Sequence, residues 1–207
     1  MTRVLLVRHG QTEWNRIERF RGQIDLPLNE LGHRQAAAIA DALRDEPIKA
    51  VYAGPLQRTQ DTARPIAARL GLPVQTLEGL LDINFGAWAG LTPEEVDQRD
   101  PQMHRLWRTQ PHLAQPPGGE SLAQVRERAV AALQAAIAAH PGETILLVGH
   151  QVVNRVLLCA VIGLDNSHFW RIRQDNACIN IIEYADSIFE IVLLNDTCHL
   201  RAAINRS

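Results

Sequence analysis

Two apolar stretches of the chain end alike, each in a histidine. Residues 3–7 lead through Arg8 into His9, and residues 143–150 end in His150. Histidine titrates near neutral pH, so one ring can be a neutral nucleophile while another stays protonated. If the two stretches are neighbouring strands of an open α/β sheet, their carboxyl ends face the same ligand-binding crevice. We therefore predict that His9 and His150 meet in one site.

Two arginines accompany these histidines. Arg8 directly precedes His9, and Arg58 falls in the first turns of a helix that follows another apolar stretch. A phosphoryl group carries about −1.5 to −2 charges at neutral pH, and guanidinium groups bind its oxygens bidentately while they stay charged. Backbone N–H groups after Gly10 and at Gln151 would add neutral donors. This combination predicts a phosphoryl-binding site.

Taken alone, each of these residues has another interpretation. A histidine at a strand end is often part of a solvated loop, and Arg58 could be a surface charge. Their coincidence in one short chain favours phosphoryl chemistry. No cluster of Asp or Glu with metal-ligand spacing lies near the strand ends. We therefore predict phosphoryl transfer through a phosphohistidine, with no metal and no other cofactor.

The composition restricts the classes of partner and location. The chain has 207 residues, of which 46% are hydrophobic and 21% charged, as is typical of a globular protein with a sizeable core. Its net charge of −2 gives no basic field for nucleic acid, and no apolar run is long enough to cross a bilayer. We expect neither a nucleic-acid nor a membrane partner. The absence of a secretory signal and of paired cysteines predicts a cytoplasmic protein with free thiols.

Alternating strand and helix patterns predict an α/β fold with parallel pairing and right-handed crossovers. The predicted strands cover residues 3–7, 48–53, 143–150, 177–184 and 189–195, and the predicted helices cover residues 29–45, 56–71, 118–142 and 151–163. Pro65 lies inside the second predicted helix and is expected to bend or split it. Asp186 and Ser187 form the turn between the last two strands.

The segment 82–118 has a different character, because glycine and proline recur along it and only short helices are predicted, within residues 92–109. A stretch this irregular inside a compact domain is typical of a lid or a binding segment. No internal repeat or linker divides the chain. We therefore predict a single domain over residues 1–207, with a lid or cap at about 82–118.

Residues 8–15, RHGQTEWN, resemble the R-H-G-x-[ST]-x-x-N signature of the histidine phosphatase superfamily, whose members include the cofactor-dependent phosphoglycerate mutases. Further similar segments follow in the family's order at 19–32, 54–63, 82–90, 117–128 and 146–150. The later part of the chain looks most like the metal-independent phosphoserine phosphatases. The resemblance implies a phosphoglycerate mutase-like fold, with a mostly parallel central sheet and helices on both faces.

The resemblance also implies roles for the matching residues. His9 would accept the phosphoryl group, and Asp82 would protonate the leaving alcohol and then activate water. The remaining positions would hold the phosphoryl oxygens (Arg8, Arg58 and His150, with Asn15 alongside) or line the substrate side of the site (Arg21, Gly22 and Gln151).

Several positions depart from the family pattern. Most relatives carry Glu where this chain has Asp82. Either the loop lies closer to the site, which we expect, or the acid role is weaker; a further alternative is a turn-capping Asp82. Arg21 stands where Gln is commoner, and it is either a solvated cation or one that attracts a substrate carboxylate. Phe85 replaces a substrate-side histidine of the phosphoserine phosphatases, which disfavours phosphoserine. His199 is a further candidate for the substrate mouth.

Three functions follow from this reading. The favoured function is a phosphomonoesterase of the histidine phosphatase type, acting on a small phosphorylated metabolite such as phosphoserine or another carboxylated ester. A phosphoglycerate mutase is the second, which the resemblance disfavours because mutases carry longer insertions in the lid region. The third is a non-catalytic phospho-ligand-binding module, which the complete set of site residues disfavours. A homodimer through the terminal strands is also expected of this branch.

Overall fold

A six-stranded sheet forms the centre of the molecule. The structure, a computed structural model, describes residues 1–201. The strands are β1 (Thr2–Arg8), β2 (Ile48–Ala53), β3 (Val74–Thr76), β4 (Thr144–Gly149), β5 (Ile179–Ala185) and β6 (Ile188–Asp196), in the spatial order β3-β2-β4-β1-β5-β6. Strands β1 to β4 pair in parallel, whereas β5 and β6 are antiparallel additions at one edge. The predicted mostly parallel α/β sheet is confirmed.

Helices cover both faces of this sheet. They are α1 (Glu13–Arg16), α2 (Glu30–Ala42), α3 (Gln57–Leu70), α4 (Pro93–Arg99), α5 (Pro101–Thr109), α6 (Leu122–Ala139) and α7 (Gln151–Val161). Side chains of a strand alternate between its two faces. Leu5 and Leu146 accordingly join the core beneath α2 and α3, while Val4 and Ile145 join the core beneath α6 and α7. The helices on both faces are thus as predicted.

The register of β1 against β4 determines where the site lies. Arg8 pairs with Gly149 in this parallel ladder, and the His9 N–H donates to the Gly149 carbonyl at 3.1 Å. The residues that follow, His9 and His150, therefore leave the sheet side by side. The apolar strands thus bring together two residues that lie far apart in the sequence.

Helix α3 corrects one expectation. The predicted split at Pro65 is wrong, because the helix runs without interruption from Gln57 to Leu70. A proline inside a helix removes one hydrogen bond and costs about 3 kcal/mol. The buried face of the helix, with Ala63 and Ile66 packed on the sheet, supplies more than that, since tertiary packing dominates helix stability. Gly71 ends the helix in the left-handed conformation, with a φ of 65°.

Other boundaries differ by a few residues from the predicted ones. Helix α6 begins after its cap Ser121 rather than at residue 118, and it ends at Ala139 rather than at 142, because Gly118 and Gly142 adopt positive φ angles of 70° and 78°. Helix α7 ends at Val161, two residues early. Strand β3 was missed because it has three residues and a single pairing partner.

The segment 82–118 is well packed despite its irregular sequence. Its short helices α4 and α5 are confirmed, and its apolar side chains Trp88, Val96 and Trp107 are buried in the same core as α6 and α7. Its role as a lid stays a prediction. At the end of the chain, Asp186 and Ser187 form the predicted turn, both at positive φ. None of the helices within residues 1–201 combines the length and the apolar character that a bilayer crossing requires.

The loop after β1 lies directly on the first turns of α2. A Cβ on Gly10 would lie 2.6 Å from the Gly32 carbonyl oxygen, and a Cβ on Gly32 would overlap the Gln11 carbonyl. The Gln11 N–H also donates to Gln35 Oε1 at 2.8 Å, and Asn29 donates its backbone N–H to Gln11. Both glycines are needed for this close approach of two backbones, which fixes the chain immediately after His9.

We therefore expect Gly32→Ala to destabilise the protein. Helix propensity alone would make the substitution stabilising by about 0.5–1 kcal/mol, whereas overpacking against Gln11 costs about 1–3 kcal/mol. The melting temperature should fall by about 2–4 °C per kcal/mol in a chain of this size. Thermal and urea unfolding measure this change. The exposed neighbour His33→Ala is the control, and a more stable Gly32→Ala variant would contradict the close contact.

Candidate active site

The two strand-terminal histidines meet at the carboxyl ends of β1 and β4. The ring centroids of His9 and His150 are 5.2 Å apart, with the ring planes at 61°. Both side chains are buried, at 1% and 0% exposure. His9 follows β1 directly, and His150 is the N-cap residue of α7. The structure thus brings together the pair that the sequence placed in one crevice.

Hydrogen bonds determine the neutral tautomer of each ring. His9 Nδ1 lies 2.6 Å from the Gly10 carbonyl oxygen; because a carbonyl only accepts, Nδ1 carries the proton and Nε2 keeps its lone pair. Arg58 Nε donates to His150 Nδ1 at 3.2 Å, so the proton of neutral His150 is on Nε2. That Nε2 is buried and has no partner within residues 1–201. One ring therefore offers a lone pair and the other an N–H group.

Burial and the surrounding cations keep both rings neutral. Burial is the largest cause that holds the pKa of His9 well below its ordinary value of 6.5, followed by the charges of Arg58 and Arg8. Burial and then Arg58 likewise hold the pKa of His150 well below 6.5. Neutral imidazole is the nucleophilic form. In this charge environment His150 is neutral as well, in contrast to the expectation of a protonated second ring.

Arg58 is completely buried and connects the histidines with Asp82. Its Nη2 donates to Asp82 Oδ2 at 3.0 Å and to the Gly22 carbonyl at 2.7 Å, and its Nη1 donates to the Ile24 carbonyl at 2.9 Å. Asp82 Oδ2 also lies 3.6 Å from His150 Nδ1. Burial lowers the pKa of Arg58, and the charge of Asp82 opposes that shift. The Asp82 carboxylate thus reaches Arg58 and His150, although the Asp side chain is one methylene shorter than that of Glu.

The loop that carries Asp82 is anchored by a residue that the sequence analysis gave no role. Arg128 of α6 donates from Nη2 to the Asp82 carbonyl at 3.1 Å and from Nη1 to the Leu81 carbonyl at 2.6 Å. Gln23 Nε2 donates to the same Asp82 carbonyl at 3.2 Å. The Asp82 side chain itself accepts from the Ile83 N–H at 2.9 Å. The bonds from Arg128 fix the backbone at Asp82 against α6, and only the tertiary fold reveals them.

Arg8 lies beside the histidines and is nearly free of protein partners. It is 4% exposed, and its Nη1 donates to the Gln174 carbonyl at 2.5 Å. Its buried Nε has no partner within the described part of the chain. Burial and then the charge of Arg21 lower its pKa to about 9. Arg8 is therefore a cation at neutral pH whose remaining N–H groups are available to an anion.

Asn15 is tied to His9 through a residue outside the motif. Asn15 Oδ1 accepts from the Thr12 N–H at 2.9 Å and from Asn176 Nδ2 at 3.3 Å. Asn176 Nδ2 also lies 3.2 Å from the His9 carbonyl. Asn176 and Asn15 both line the cavity described below. Asn176 was not a predicted site residue, because it follows no strand or motif that the sequence makes visible.

Arg21 lines the same cavity as Arg8. Its Nη1 donates to the Trp14 carbonyl at 3.0 Å. Burial lowers its pKa to about 10, against the opposing charge of Asp82. Its own charge contributes to the lowered pKa values of His9 and His150. Arg21 is partly exposed, and its place in the cavity lining leaves its role as a cation for a substrate carboxylate a prediction.

Gly22 and Gln151 complete the predicted set. Gly22 has a φ of 50°, and a Cβ there would lie 2.8 Å from the Ile83 carbonyl oxygen, so the position requires glycine. Gln151 is the first residue of α7, and its Nε2 lies 3.4 Å from the Gln174 carbonyl. Both residues line the same cavity as Arg8.

The cavity has a volume of about 580 Å³ and one strongly aromatic wall. Its aromatic lining consists of Phe20, Phe85, Trp107, Phe169 and Trp170. The ring centroid of Phe85 lies 4.9 Å from that of Phe20 and 5.4 Å from that of Trp107. His199 is outside this lining, and its Nε2 contacts the Ala177 carbonyl at 3.0 Å. Within residues 1–201 no group of three or more His, Cys, Asp or Glu side chains could hold a metal ion.

Comparisons with known proteins agree with this geometry. A family model described as the histidine phosphatase superfamily (branch 1) matches residues 4–197. Phosphoserine phosphatase 1 of Hydrogenobacter thermophilus is 38% identical over 200 residues, covering 97% of this chain and 95% of that protein. The probable phosphoglycerate mutase GpmB of Yersinia pestis is 34% identical over 210 residues, covering 97% and 95%. Among solved structures, Bacillus stearothermophilus YhfR matches with a TM-score of 0.93 at 32% identity, covering 97% and 100%.

The buried neutral histidines predict a specific loss of stability in acid. Their pKa values are lowered on folding, so below pH 6.5 the unfolded chain binds protons that the folded chain does not, and stability falls as the pH falls. Between pH 6.5 and pH 5 each such histidine costs up to about 2 kcal/mol. Over this pH interval, we expect the free energy of unfolding of His9→Gln to fall by up to about 2 kcal/mol less than that of the wild type.

Urea unfolding at several pH values measures the free energy of unfolding of each variant. The quantity compared is its change with pH within one variant, so a constant effect of the substitution cancels. The exposed His33→Gln is the matched control and should follow the wild type. An equal acid-induced loss in His9→Gln and the wild type would show that His9 is not held neutral by the fold.

Proposed function

This chain belongs to the histidine phosphatase superfamily, and on that premise we propose that it hydrolyses phosphate monoesters of small metabolites through a phosphohistidine on His9, without a metal ion. The resemblance recognised in the sequence is thus confirmed, and the chain is a phosphatase. One observation carries the proposed mechanism: two neutral imidazoles lie 5.2 Å apart, the one with a free lone pair and the other with a free N–H group.

The phosphoryl group would bind between the arginines and His150. Arg8 and Arg58 supply charged donors, the Nε2–H of His150 supplies a neutral one, and the N-terminus of α7 at Gln151 adds a backbone N–H group. Asn15 would contact the same oxygens. Preorganised donors of this kind stabilise the charge that develops on the oxygens in the transition state.

In the first step, the Nε2 lone pair of His9 forms a bond to phosphorus while the bond from phosphorus to the ester oxygen breaks. The Nδ1–H bond to the Gly10 carbonyl holds the ring in the orientation and tautomer that this attack needs. The leaving oxygen takes a proton from Asp82, so an alcohol departs rather than an alkoxide.

In the second step, Asp82 takes a proton from a water molecule whose oxygen attacks phosphorus. The bond between phosphorus and His9 Nε2 breaks, the lone pair returns to the ring, and inorganic phosphate leaves. The same carboxyl group thus acts first as an acid and then as a base.

Substrate binding would change the partner of Asp82. In the described structure the Asp82 carboxyl group is paired with Arg58 at 3.0 Å. A phosphoryl dianion at the site would compete for this guanidinium. The Asp82 carboxyl group would then be free to exchange a proton with the leaving oxygen.

The substrate side of the site is formed by Arg21, Gly22 and the aromatic wall from the segment 82–118, which we propose acts as the lid of a single domain. The relative from Hydrogenobacter thermophilus makes phosphoserine a candidate substrate, while Phe85 in place of a histidine argues for a different specificity. The relative from Yersinia pestis keeps phosphoglycerate mutase as the second candidate function.

We expect a phosphoryl group to accumulate on His9. After brief incubation with p-nitrophenyl phosphate in excess chelator, the wild type should show an acid-labile mass increase of one phosphoryl group, which is lost on warming in acid. His9→Ala should neither gain this mass nor release p-nitrophenol, because it lacks the attacking nitrogen. The exposed His112→Ala is the matched control and should behave as the wild type.

Hydrolysis that survives in His9→Ala, or that stops in chelator, would contradict the mechanism. The same preparation, incubated with 3-phosphoglycerate and followed by phosphorus NMR, separates the two candidate functions. Release of inorganic phosphate supports the phosphatase, and conversion to 2-phosphoglycerate without phosphate release supports the mutase.

Asp82→Asn should distinguish substrates by their leaving group. Alkyl phosphates need a protonated leaving oxygen, so their turnover should fall by about 10²–10⁴-fold, whereas aryl phosphates with good leaving groups should lose about tenfold or less. Steady-state rates with glycerol phosphate and p-nitrophenyl phosphate measure this split. Equal losses for both esters would remove Asp82 from the role of acid, and Asp82→Glu should recover alkyl turnover in part.

A further inference from the structure

One buried arginine of the cavity has no role in the steps above. Arg155 lies on α7, five residues after His150, and it is 9% exposed. Its guanidinium carbon lies 5.1 Å from the ring centroid of Phe169 and 4.8 Å from that of Trp170. It lines the same cavity as Arg8. The aromatic rings hold the guanidinium in a defined plane at the cavity wall.

Arg155 has no anionic partner in the part of the chain that the structure describes. No carboxylate lies within 4.0 Å of its guanidinium, and its buried Nε has no hydrogen-bond partner there. Burial lowers its pKa to about 10, which leaves it cationic at neutral pH. A buried charge without a partner is costly. Its retention beside a ligand cavity therefore indicates a ligand anion.

The phosphoryl group does not supply that anion. Arg8 and Arg58 match the charge of one dianion. Arg155 lies on α7 five residues beyond His150, about 7 Å along the helix axis. It lines the cavity at the aromatic wall of Phe169 and Trp170 rather than at the pair of histidines. The Arg155 guanidinium is therefore placed to contact the organic part of the substrate.

We infer that Arg155 binds a carboxylate on the organic part of the substrate and thereby makes this phosphatase selective for carboxylated phosphate esters. This inference rests on the proposed function. The planar guanidinium can donate two parallel N–H groups to a carboxylate, and its contacts with the rings of Phe169 and Trp170 leave its N–H groups free for that contact.

Matched pairs of substrates test this role. Phosphoglycolate is compared with its primary amide, and 4-carboxyphenyl phosphate with its primary amide, so that each pair differs in one charge. The wild type should prefer the carboxylate in at least one pair by about tenfold or more in kcat/KM, since hydrogen bonds to a charged group contribute that much. In Arg155→Met the preference should fall at least about tenfold, mainly through KM.

Two further variants sharpen the test. Arg155→Lys keeps the charge but not the planar fork, and it should retain only part of the preference. Arg108→Met removes an exposed cation at the edge of the same cavity, and its preference should stay within about threefold of the wild type. Thermal unfolding confirms that each variant folds. Should Arg155→Met not fold, Arg155→Lys still decides, because an unchanged preference there would overturn the inference.

Several outcomes would contradict the role of Arg155. Equal losses for carboxylate and amide in Arg155→Met would show that it only packs on the aromatic rings, and a wild type without preference in either pair would show that no carboxylate binds. If the wild type does not hydrolyse even p-nitrophenyl phosphate, the proposed function fails instead. Calorimetric binding of phosphoglycolate and its amide then decides. Only a binding preference for the carboxylate that is lost in Arg155→Met would support carboxylate binding by Arg155.

Discussion

A single guanidinium group, that of Arg58, holds the parts of this site together. It donates from Nε to His150, from Nη2 to Asp82 and Gly22, and from Nη1 to Ile24. A fully buried guanidinium needs all of these acceptors, because an N–H group without a hydrogen bond would leave part of a buried charge unsatisfied. The same bonds fix the tautomer of His150 and the position of the Asp82 carboxylate. Structure and chemistry therefore depend on one set of contacts.

The sheet supplies the second constraint, because the histidines meet only if β1 and β4 are neighbours in register. Close packing also fixes the residues that directly follow β1. Gly10 and Gly32 allow the loop after β1 to contact the backbone of α2, while the Gly10 carbonyl orients His9. The mobility that a loop would otherwise have is thereby removed at His9, the proposed nucleophile, where a loss of orientation would be most costly.

Much of this arrangement was predictable, and the exceptions have a common physical origin. Apolar strands that end in histidine, and the signature around them, predict the sheet, both helical layers and the convergence of His9 with His150. The residues that the sequence did not reveal, Arg128, Asn176 and Arg155, act through contacts with distant backbone or rings, and no local pattern encodes such contacts. Pro65 was misjudged because tertiary packing outweighed a local preference.

The neutral state of His150 also determines which groups can balance the charge of a bound phosphoryl group. The neighbours of His150 are cations, and burial makes its charged form unfavourable. The Arg58 Nε–H donates to Nδ1, so this nitrogen keeps its lone pair and the ring offers its Nε2–H to a ligand. The charge of a phosphoryl dianion would therefore be balanced by the guanidinium groups of Arg8 and Arg58 rather than by a second, protonated imidazole. The positive charge that the sequence suggested for a histidine thus lies on the arginines, because a buried guanidinium stays charged at neutral pH whereas a buried imidazole does not.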